Sequence, residues 1–188
     1  MQSVKGALIA ACQSAVGMFQ RSTAIVIAAV AFAAALLAPV ASDAQDGYVW
    51  ATYENPRFGY RIEYPAALFG PPLASQNGDG ITLYSPDGRA RLLVFGGLNT
   101  LDYNPVRLAD ELASTAEIDR VTYRRVSNHW LVLSGYLASG DVFYQRVEFD
   151  IGLRTVSAFR LDFPVSAREA YEPYIARMGR SLTPPASG

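Results

Sequence analysis

The only histidine in this 188-residue chain, His129, is the first candidate for acid–base chemistry. It stands beside Asn128 between two predicted strands, with Ser127 and Ser134 nearby in the sequence. A serine hydrolase needs a histidine that takes the serine proton and a carboxylate that orients the imidazole. No Gly-x-Ser-x-Gly elbow supports such a site, because Leu133 precedes Ser134. The sequence favours a histidine in a turn, with a small envelope hydrolase as the alternative.

Paired carboxylates are the second candidate, because glycoside hydrolases use two of them to cleave one bond. Glu148 and Asp150 are two residues apart on a predicted strand and would share one of its faces. Asp110 and Glu111 are the other pair. Nothing around either pair indicates a pocket or a raised pKa. We therefore expect a solvated strand face, and an enzyme that uses an acidic pair is an alternative function.

Metal ions and cofactors are not expected. Zinc sites take three or four converging ligands and calcium sites take six or more oxygens. Cys12 is the only cysteine of the chain, and Asp79 stands alone in a glycine-containing loop. Gly96 and Gly97 are followed by no lysine and open no helix directly, which argues against a phosphate-binding loop. We assign no catalytic, cofactor-binding or metal-binding residue.

A possible interaction surface is the most suggestive chemical feature. Alternate residues of a strand share a face, and on the predicted strand 142–150 one face combines an aromatic residue with charges. Arginines on two other predicted strands are expected beside it. The resulting surface comprises Tyr144, Arg146, Glu148, Arg160 and Arg124. Arginine and tyrosine are enriched where proteins meet other proteins, although cross-strand charge pairs on an exposed sheet are the simpler alternative.

The charge distribution of the chain argues against nucleic acid as a partner. The chain has 16 basic and 17 acidic residues, a formal net charge of −1, and Lys5 as its only lysine. Arginines and carboxylates are interspersed, and no basic block indicates nucleic acid. The expected partner is another protein, and the export signal described next places that partner in the cell envelope.

The beginning of the chain has the layout of a secretory signal peptide. Arg21 precedes an unbroken apolar run over residues 24–38, and small residues follow up to Ala44. We predict a signal peptide over residues 1–44, cleaved after Ala44, and a periplasmic or secreted mature protein with no stable membrane span. Translation from Met18 would give a more ordinary head region, and lipidation at Cys12 is an alternative.

Strands must position most of these residues. Tyr60, Ile62 and Tyr64 alternate with polar residues, which is the two-residue period of a half-buried strand, and Pro65 ends it. The runs 81–85 and 90–95 flank a Ser-Pro-Asp-Gly turn and should form an antiparallel hairpin. Four further strands are predicted over residues 121–127, 130–137, 142–150 and 153–163, and their short connections require an antiparallel meander.

Two helices complete the pattern. Asn104 can cap the first, which begins with Pro105 and continues to about Ala116. Ser166 and Glu169 have the spacing of a capping box at the start of the second. The second helix carries an apolar stripe of Tyr171, Tyr174, Ile175, Met178 and Leu182.

The C-terminal part of the chain suggests two further features, a frayed tail and a ligand cleft beside the second helix. Prolines 184 and 185 end it, and residues 184–188 are expected to be a frayed tail. A small-ligand carrier with a cleft lined by Tyr171 and Tyr174 is a further alternative function.

These elements predict an α+β fold, with an antiparallel β-sheet and flanking helices, in a single domain over residues 45–183.

The first strand region, with Asn55, the step Phe58-Gly59-Tyr60 and Tyr64-Pro65, also resembles the opening of PsbP-like proteins. The hairpin, helix, meander and terminal helix agree with that resemblance. It implies a PsbP-like α/β/α sandwich and an exported, non-catalytic domain that docks on other proteins. It transfers no functional residue, because no metal or docking motif of the family matches a position here.

Overall fold

The computed structural model describes residues 49–186. The predicted signal peptide, the start at Met18 and the lipidation at Cys12 fall outside these residues. Between residues 49 and 186, no helix is both long enough and apolar enough to cross a lipid bilayer.

Strands form most of the described chain. They are β1 (Trp50–Asn55), β2 (Tyr60–Pro65), β3 (Leu73–Ala74), β4 (Gly80–Tyr84), β5 (Arg91–Leu98), β6 (Ile118–Val126), β7 (Trp130–Leu137), β8 (Val142–Phe149) and β9 (Thr155–Phe163). The α-helices are α1 (Pro105–Ala113) and α2 (Arg168–Ser181), and short 3-10 turns cover Ala66–Leu68 and Val165–Ala167.

Seven of the strands form one antiparallel sheet in the order β3-β4-β5-β9-β8-β7-β6. β1 and β2 pair with each other in a separate antiparallel hairpin. The meander predicted from short connections is confirmed as the run β6-β7-β8-β9, and β6 begins at Ile118 rather than Val121. This arrangement confirms the expected α+β fold with helices on an antiparallel sheet.

One face of the large sheet, called the α2 face here, packs under α2 and the β1–β2 hairpin. Tyr60, Ile62 and Tyr64 of β2 are buried there, as their alternation with Arg61 and Glu63 predicted. From α2, Tyr171, Tyr174 and Met178 pack into the same cluster, which also contains Leu182. Burying this apolar stripe of α2 is what fixes the helix on the sheet.

The opposite face, called the α1 face, packs under α1. Its core consists of Ala109, Leu131, Leu133, Phe143, Val147, Phe149 and Ala158. Leu108 and Leu112 of α1 pack against this cluster. The side chain of Asn104 accepts a hydrogen bond from the Arg107 amide and Pro105 occupies the first turn, which confirms the predicted start of α1.

The hairpin predicted around the Ser-Pro-Asp-Gly turn is confirmed. β4 and β5 pair in register, and the Gly88 amide donates to the Ser85 carbonyl across the turn at 2.8 Å. Gly88 has a φ of 70°, a left-handed conformation that glycine adopts without strain.

The predicted capping box of α2 is wrong. α2 begins at Arg168, and its N-cap residue, Ala167, makes no side-chain cap hydrogen bond. Ser166 lies within the 3-10 turn that follows Pro164, and its hydroxyl accepts a weak hydrogen bond from Arg89 at 3.5 Å. The chain therefore enters α2 through this turn, with Glu169 in the first helical turn near the positive end of the helix dipole.

The C-terminal segment is held against β2 as far as Ala186, where the sequence predicted fraying. The Thr183 amide donates to the Arg61 carbonyl at 3.0 Å, and the Ala186 amide donates to the Phe58 carbonyl at 3.0 Å. The hydroxyl of the buried Ser157 donates to the Thr183 carbonyl at 2.7 Å. These hydrogen bonds satisfy backbone groups of β2, of the turn before it and of the C-terminal segment itself.

Candidate functional site

The five residues of the predicted interaction surface lie on two different faces of the sheet. Tyr144, Arg146 and Glu148 are alternate residues of β8 on the α2 face, as the sequence indicated. Arg160 pairs across the ladder with Gln145, so it lies on the α1 face, and Arg124 pairs with Leu133 on that same face. Strand register decides which residues face each other, and the two-residue period of a single strand does not specify it.

The two arginines on the α1 face are engaged in ion pairs within the fold. Arg124 lies 2.6 Å from Asp110 of α1, in a pair with both side chains substantially exposed. Arg160 is buried, donates to Asp162 at 2.7 Å and pairs with Glu117 at 2.5 Å. These contacts fasten α1 and the α1–β6 connection to the sheet.

Glu148 and Asp150 are only 8% and 5% exposed, so the expected solvated strand face is wrong, and each carboxylate is hydrogen-bonded by neighbouring residues. Burial raises the pKa of Glu148, against the opposing effect of Arg146, whose Nε donates to it at 2.7 Å. Burial also favours a higher pKa for Asp150, but hydrogen bonds from the Thr155, Arg154 and Gly152 amides outweigh it and lower that pKa. Asp150 thus organises the β8–β9 turn.

The other pair, Asp110 and Glu111, is exposed on α1, and Asp110 is the partner of Arg124.

His129 is exposed in the turn between β6 and β7, where the sequence placed it. Its ring makes no hydrogen bond with any residue in the range 49–186. The Ser134 hydroxyl donates to the Phe143 carbonyl at 2.8 Å, so it is directed toward the neighbouring strand. A serine–histidine arrangement is therefore not formed by these residues.

Tyr171 and Tyr174 are core residues, so they do not line the cleft that the alternative of a small-ligand carrier requires. The Tyr171 ring stacks on Phe163 with centroids 5.3 Å apart, and the Tyr174 ring lies 5.9 Å from that of Trp50. Only 8% of Tyr171 and 7% of Tyr174 is exposed, because the space between α2 and the sheet is filled by these rings.

An open cleft of about 630 Å³ lies instead where the β1–β2 turn meets the C-terminal segment. Its lining includes Glu54, Asn55, Arg61 and Thr183. Within residues 49–186, no three histidine, cysteine, aspartate or glutamate side chains are grouped as metal ligands.

A different group of residues forms an exposed surface on the α2 face, beside α2. It combines three arginines with three aromatic residues of β6, β7 and β8: Arg120, Tyr123, Arg125, Trp130, Tyr136 and Arg146. We call this group the arginine–aromatic face. Tyr123 is 49% exposed, and Trp130 and Tyr136 are half-buried.

A β-bulge brings the three β6 residues onto one face. Arg120 pairs with Tyr136, Tyr123 with Ser134, and Arg125 with Val132, with a register shift between Val121 and Tyr123. Residues three apart on a regular strand lie on opposite faces, so the extra residue of the bulge is needed to return Tyr123 to the face of Arg120. Strict alternation along the sequence does not indicate this surface, because Arg120 and Tyr123 are three residues apart.

Glycine at position 135 permits this bulge. A Cβ atom there would lie 2.0 Å from the Arg120 carbonyl oxygen and 2.9 Å from the Val121 Cα. No side chain fits in that space, so β6 approaches β7 as closely as it does only because residue 135 is glycine.

Arginine side chains lie over the aromatic rings of this face. The Arg120 guanidinium carbon is 4.5 Å from the Tyr136 ring centroid, and those of Arg125 and Arg146 are 5.4 and 4.9 Å from the Trp130 centroid. These distances are within the range of cation–π attraction. The rings therefore hold the arginines in place at the surface.

Comparison with known proteins supports the fold. No protein-family model matches the chain, and no curated protein matches its sequence. A solved structure, the solution structure of cyanobacterial PsbP (CyanoP) from Synechocystis sp. PCC 6803, is similar with a TM-score of 0.54 and 12% sequence identity. The match covers 77% of this chain and 98% of that one. The described domain therefore has a PsbP-like α+β fold, in agreement with the resemblance found in its sequence.

Proposed function

We propose that this chain is an exported, non-enzymatic binding or assembly-factor domain of the bacterial cell envelope. It docks on another envelope protein through the arginine–aromatic face. The observation that carries the proposal is the concentration of arginine, tryptophan and tyrosine side chains on one exposed part of the sheet, held in place by mutual contacts.

Physical chemistry favours a protein contact at such a surface. Tryptophan, tyrosine and arginine are the residues most often responsible for the binding energy of protein interfaces. Each combines a large apolar area with hydrogen-bonding groups, and Tyr123 and Trp130 have few rotatable bonds to order on binding. The Trp130 ring is already in contact with the guanidinium groups of Arg125 and Arg146. Its side chain therefore loses little further conformational freedom when a partner binds.

The sequence supports the cellular part of the proposal. The predicted signal peptide directs the chain out of the cytoplasm, and the resemblance to PsbP-like proteins implies a domain that docks on other proteins. The alternative of a hydrolase gains no support from the exposed His129 or from the two acidic pairs.

Co-purification tests the proposal. The tagged mature protein is recovered from envelope extract of its own organism, in parallel with Trp130→Ala and with Leu98→Ala as the control. Leu98 is 64% exposed and lies outside the arginine–aromatic face. We expect a discrete partner with the unchanged protein and with Leu98→Ala, and its loss with Trp130→Ala. Recovery of no partner above background across mild detergents and salts would count against docking.

A further inference from the structure

We propose, as an extension that rests on the docking function above, that the partner presents an acidic segment whose carboxylates bind Arg120 and Arg125. The arginines of this face differ in whether a carboxylate of the same molecule binds them. Four arginines lie on or beside the arginine–aromatic face, and they divide into two that form ion pairs within the fold and two that form none with the described residues.

Arg146 and Arg168 are the two that form ion pairs. Arg146 donates to Glu148 at 2.7 Å. Arg168 of α2 donates to the Tyr136 hydroxyl at 3.2 Å and forms an ion pair with Glu172 at 3.1 Å. Their charges are neutralised by carboxylates of the same molecule, so they contribute mainly to the packing of the face.

Arg120 and Arg125 are the two arginines of this face without a carboxylate partner in the described part of the chain. Both side chains are exposed, and neither forms an ion pair or donates a side-chain hydrogen bond to any residue between 49 and 186. Each guanidinium lies over an aromatic ring, Tyr136 for Arg120 and Trp130 for Arg125. An arginine that uses its planar face on a ring keeps its N–H groups at the edge, where they can bind a carboxylate with two parallel hydrogen bonds.

The spacing of the two arginines indicates a segment rather than a single small anion. Arg120 and Arg125 lie opposite Tyr136 and Val132, which are four residues apart on β7, so the bulge brings the two arginines to a separation of roughly 13 Å. Tyr123 lies between them and offers an exposed ring for an apolar residue of the partner. An extended chain with carboxylates about four residues apart and an apolar residue midway between them presents all three side chains on one face and matches this pattern.

A protein segment fits this surface better than a lipid bilayer. Membrane surfaces recruit clusters of roughly four to eight basic residues, whereas among residues 49–186 this face has two arginines without a carboxylate partner. The exposed aromatic ring between the two cations supplies apolar contact of the kind found at protein interfaces.

Titration with a synthetic peptide tests the inference. The probe carries glutamates about four residues apart with a leucine midway between them, and a matched probe carries lysine in place of glutamate. Backbone amide NMR of the mature protein should show shifts at Arg120, Tyr123 and Arg125 with the glutamate peptide alone. Arg120→Gln and Arg125→Gln should each weaken binding about tenfold, as expected for loss of one charge-assisted contact.

Arg107→Gln is the matched control. Arg107 is also exposed, and its guanidinium lies 4.4 Å from the ring centroid of Tyr103, but on α1. Its loss should leave binding unchanged. Equal binding of the lysine peptide, or binding insensitive to both glutamine variants, would overturn the inference. So would tight binding of phosphatidylglycerol vesicles that the same two variants abolish, because the partner would then be a lipid surface.

Two results distinguish an error in the proposed acidic partner from an error in the proposed docking function. If the glutamate peptide does not bind while a cross-linker at position 123 still traps an envelope protein, docking stands and the acidic partner is refuted. If the peptide binds as described while position 123 traps nothing in cells, the carboxylate-binding site stands and the docking function is refuted.

Discussion

The guanidinium of Arg125 lies 5.4 Å from the ring centroid of Trp130, the residue that begins the next strand. Arg146, from the strand on the other side, lies 4.9 Å from the same centroid. Trp130 thus links three neighbouring strands on the exposed part of the α2 face. The proposed docking function depends on this relationship, because it keeps a large aromatic side chain fixed at the surface.

Replacing Trp130 should remove most of the partner affinity. We expect Trp130→Leu to cost at least about 2 kcal/mol of binding free energy, roughly thirtyfold in affinity, because the ring is the largest apolar group of the face. Tyr84→Leu is the control, since Tyr84 is 43% exposed and lies on β4, outside the face. Affinity measured with the purified partner separates the two variants, and equal losses would contradict the assignment.

Arg160 and Arg124 should affect stability without affecting binding. Arg160→Gln breaks a buried pair and leaves Asp162 with Arg91 alone, so we expect a loss of about 3 kcal/mol in the free energy of unfolding. Arg124→Gln breaks an exposed pair with Asp110 and should cost less than about 1 kcal/mol. Urea denaturation measures both losses. A loss of partner binding in folded Arg124→Gln would show that the α1 face participates.

Gly135→Ala should destabilise the domain because a Cβ would overlap the Arg120 carbonyl. We expect a loss of about 1–3 kcal/mol, the usual cost of forcing an extra methyl group into a packed space. Gly97→Ala is the matched control, because no atom lies within 4 Å of a Cβ placed there on β5. Urea denaturation of both variants measures the difference, and similar stabilities would show that the bulge does not require glycine.

Acid should destabilise the fold through Asp150. Its folded pKa is below the unfolded value of about 3.9, so the unfolded state binds more protons between the two values and stability rises with pH there. The stabilisation is present above about pH 4 and is lost as the pH falls through the folded pKa. Asp150→Asn should flatten this dependence in urea denaturation followed from about pH 2 to pH 7.

Glu148→Gln should change the same curve in the opposite direction. Burial raises the folded pKa of Glu148, so the folded state binds more protons and stability decreases as the pH rises from about 4.3 through the folded pKa. Removing this group should make the stability curve rise more steeply with pH in that interval. Equal changes of slope in the two variants would contradict the assigned environments.

Local sequence rules predicted those elements that depend on neighbouring residues. The Ser85–Gly88 turn and the Asn104 cap with Pro105 are confirmed because each is specified by a few consecutive residues. The capping box at Ser166 was wrong because the turn after Pro164 takes that serine out of the cap position. The three-residue spacing of Ser166 and Glu169 does not show that the serine belongs to a turn that ends before the helix begins.

The arginine–aromatic face was predicted only in part, because long-range strand pairing determines it. Tyr144 and Arg146 were placed on the right face of β8 by alternation, whereas Arg160 and Arg124 were not, since strand register sets their face. The contribution of β6 was missed because a bulge breaks the period of the strand. Gly135 within an otherwise apolar strand was the signal that could have indicated a bulge nearby.

Site-specific photo-cross-linking in living cells tests docking through the arginine–aromatic face most directly. A photoreactive amino acid at position 123 is compared with the same group at Leu101, which is 65% exposed and outside this face. We predict a discrete cross-linked protein from position 123, absent from position 101 and reduced by Trp130→Ala. No adduct at 123, or the same adducts from both positions, would contradict the proposed docking function.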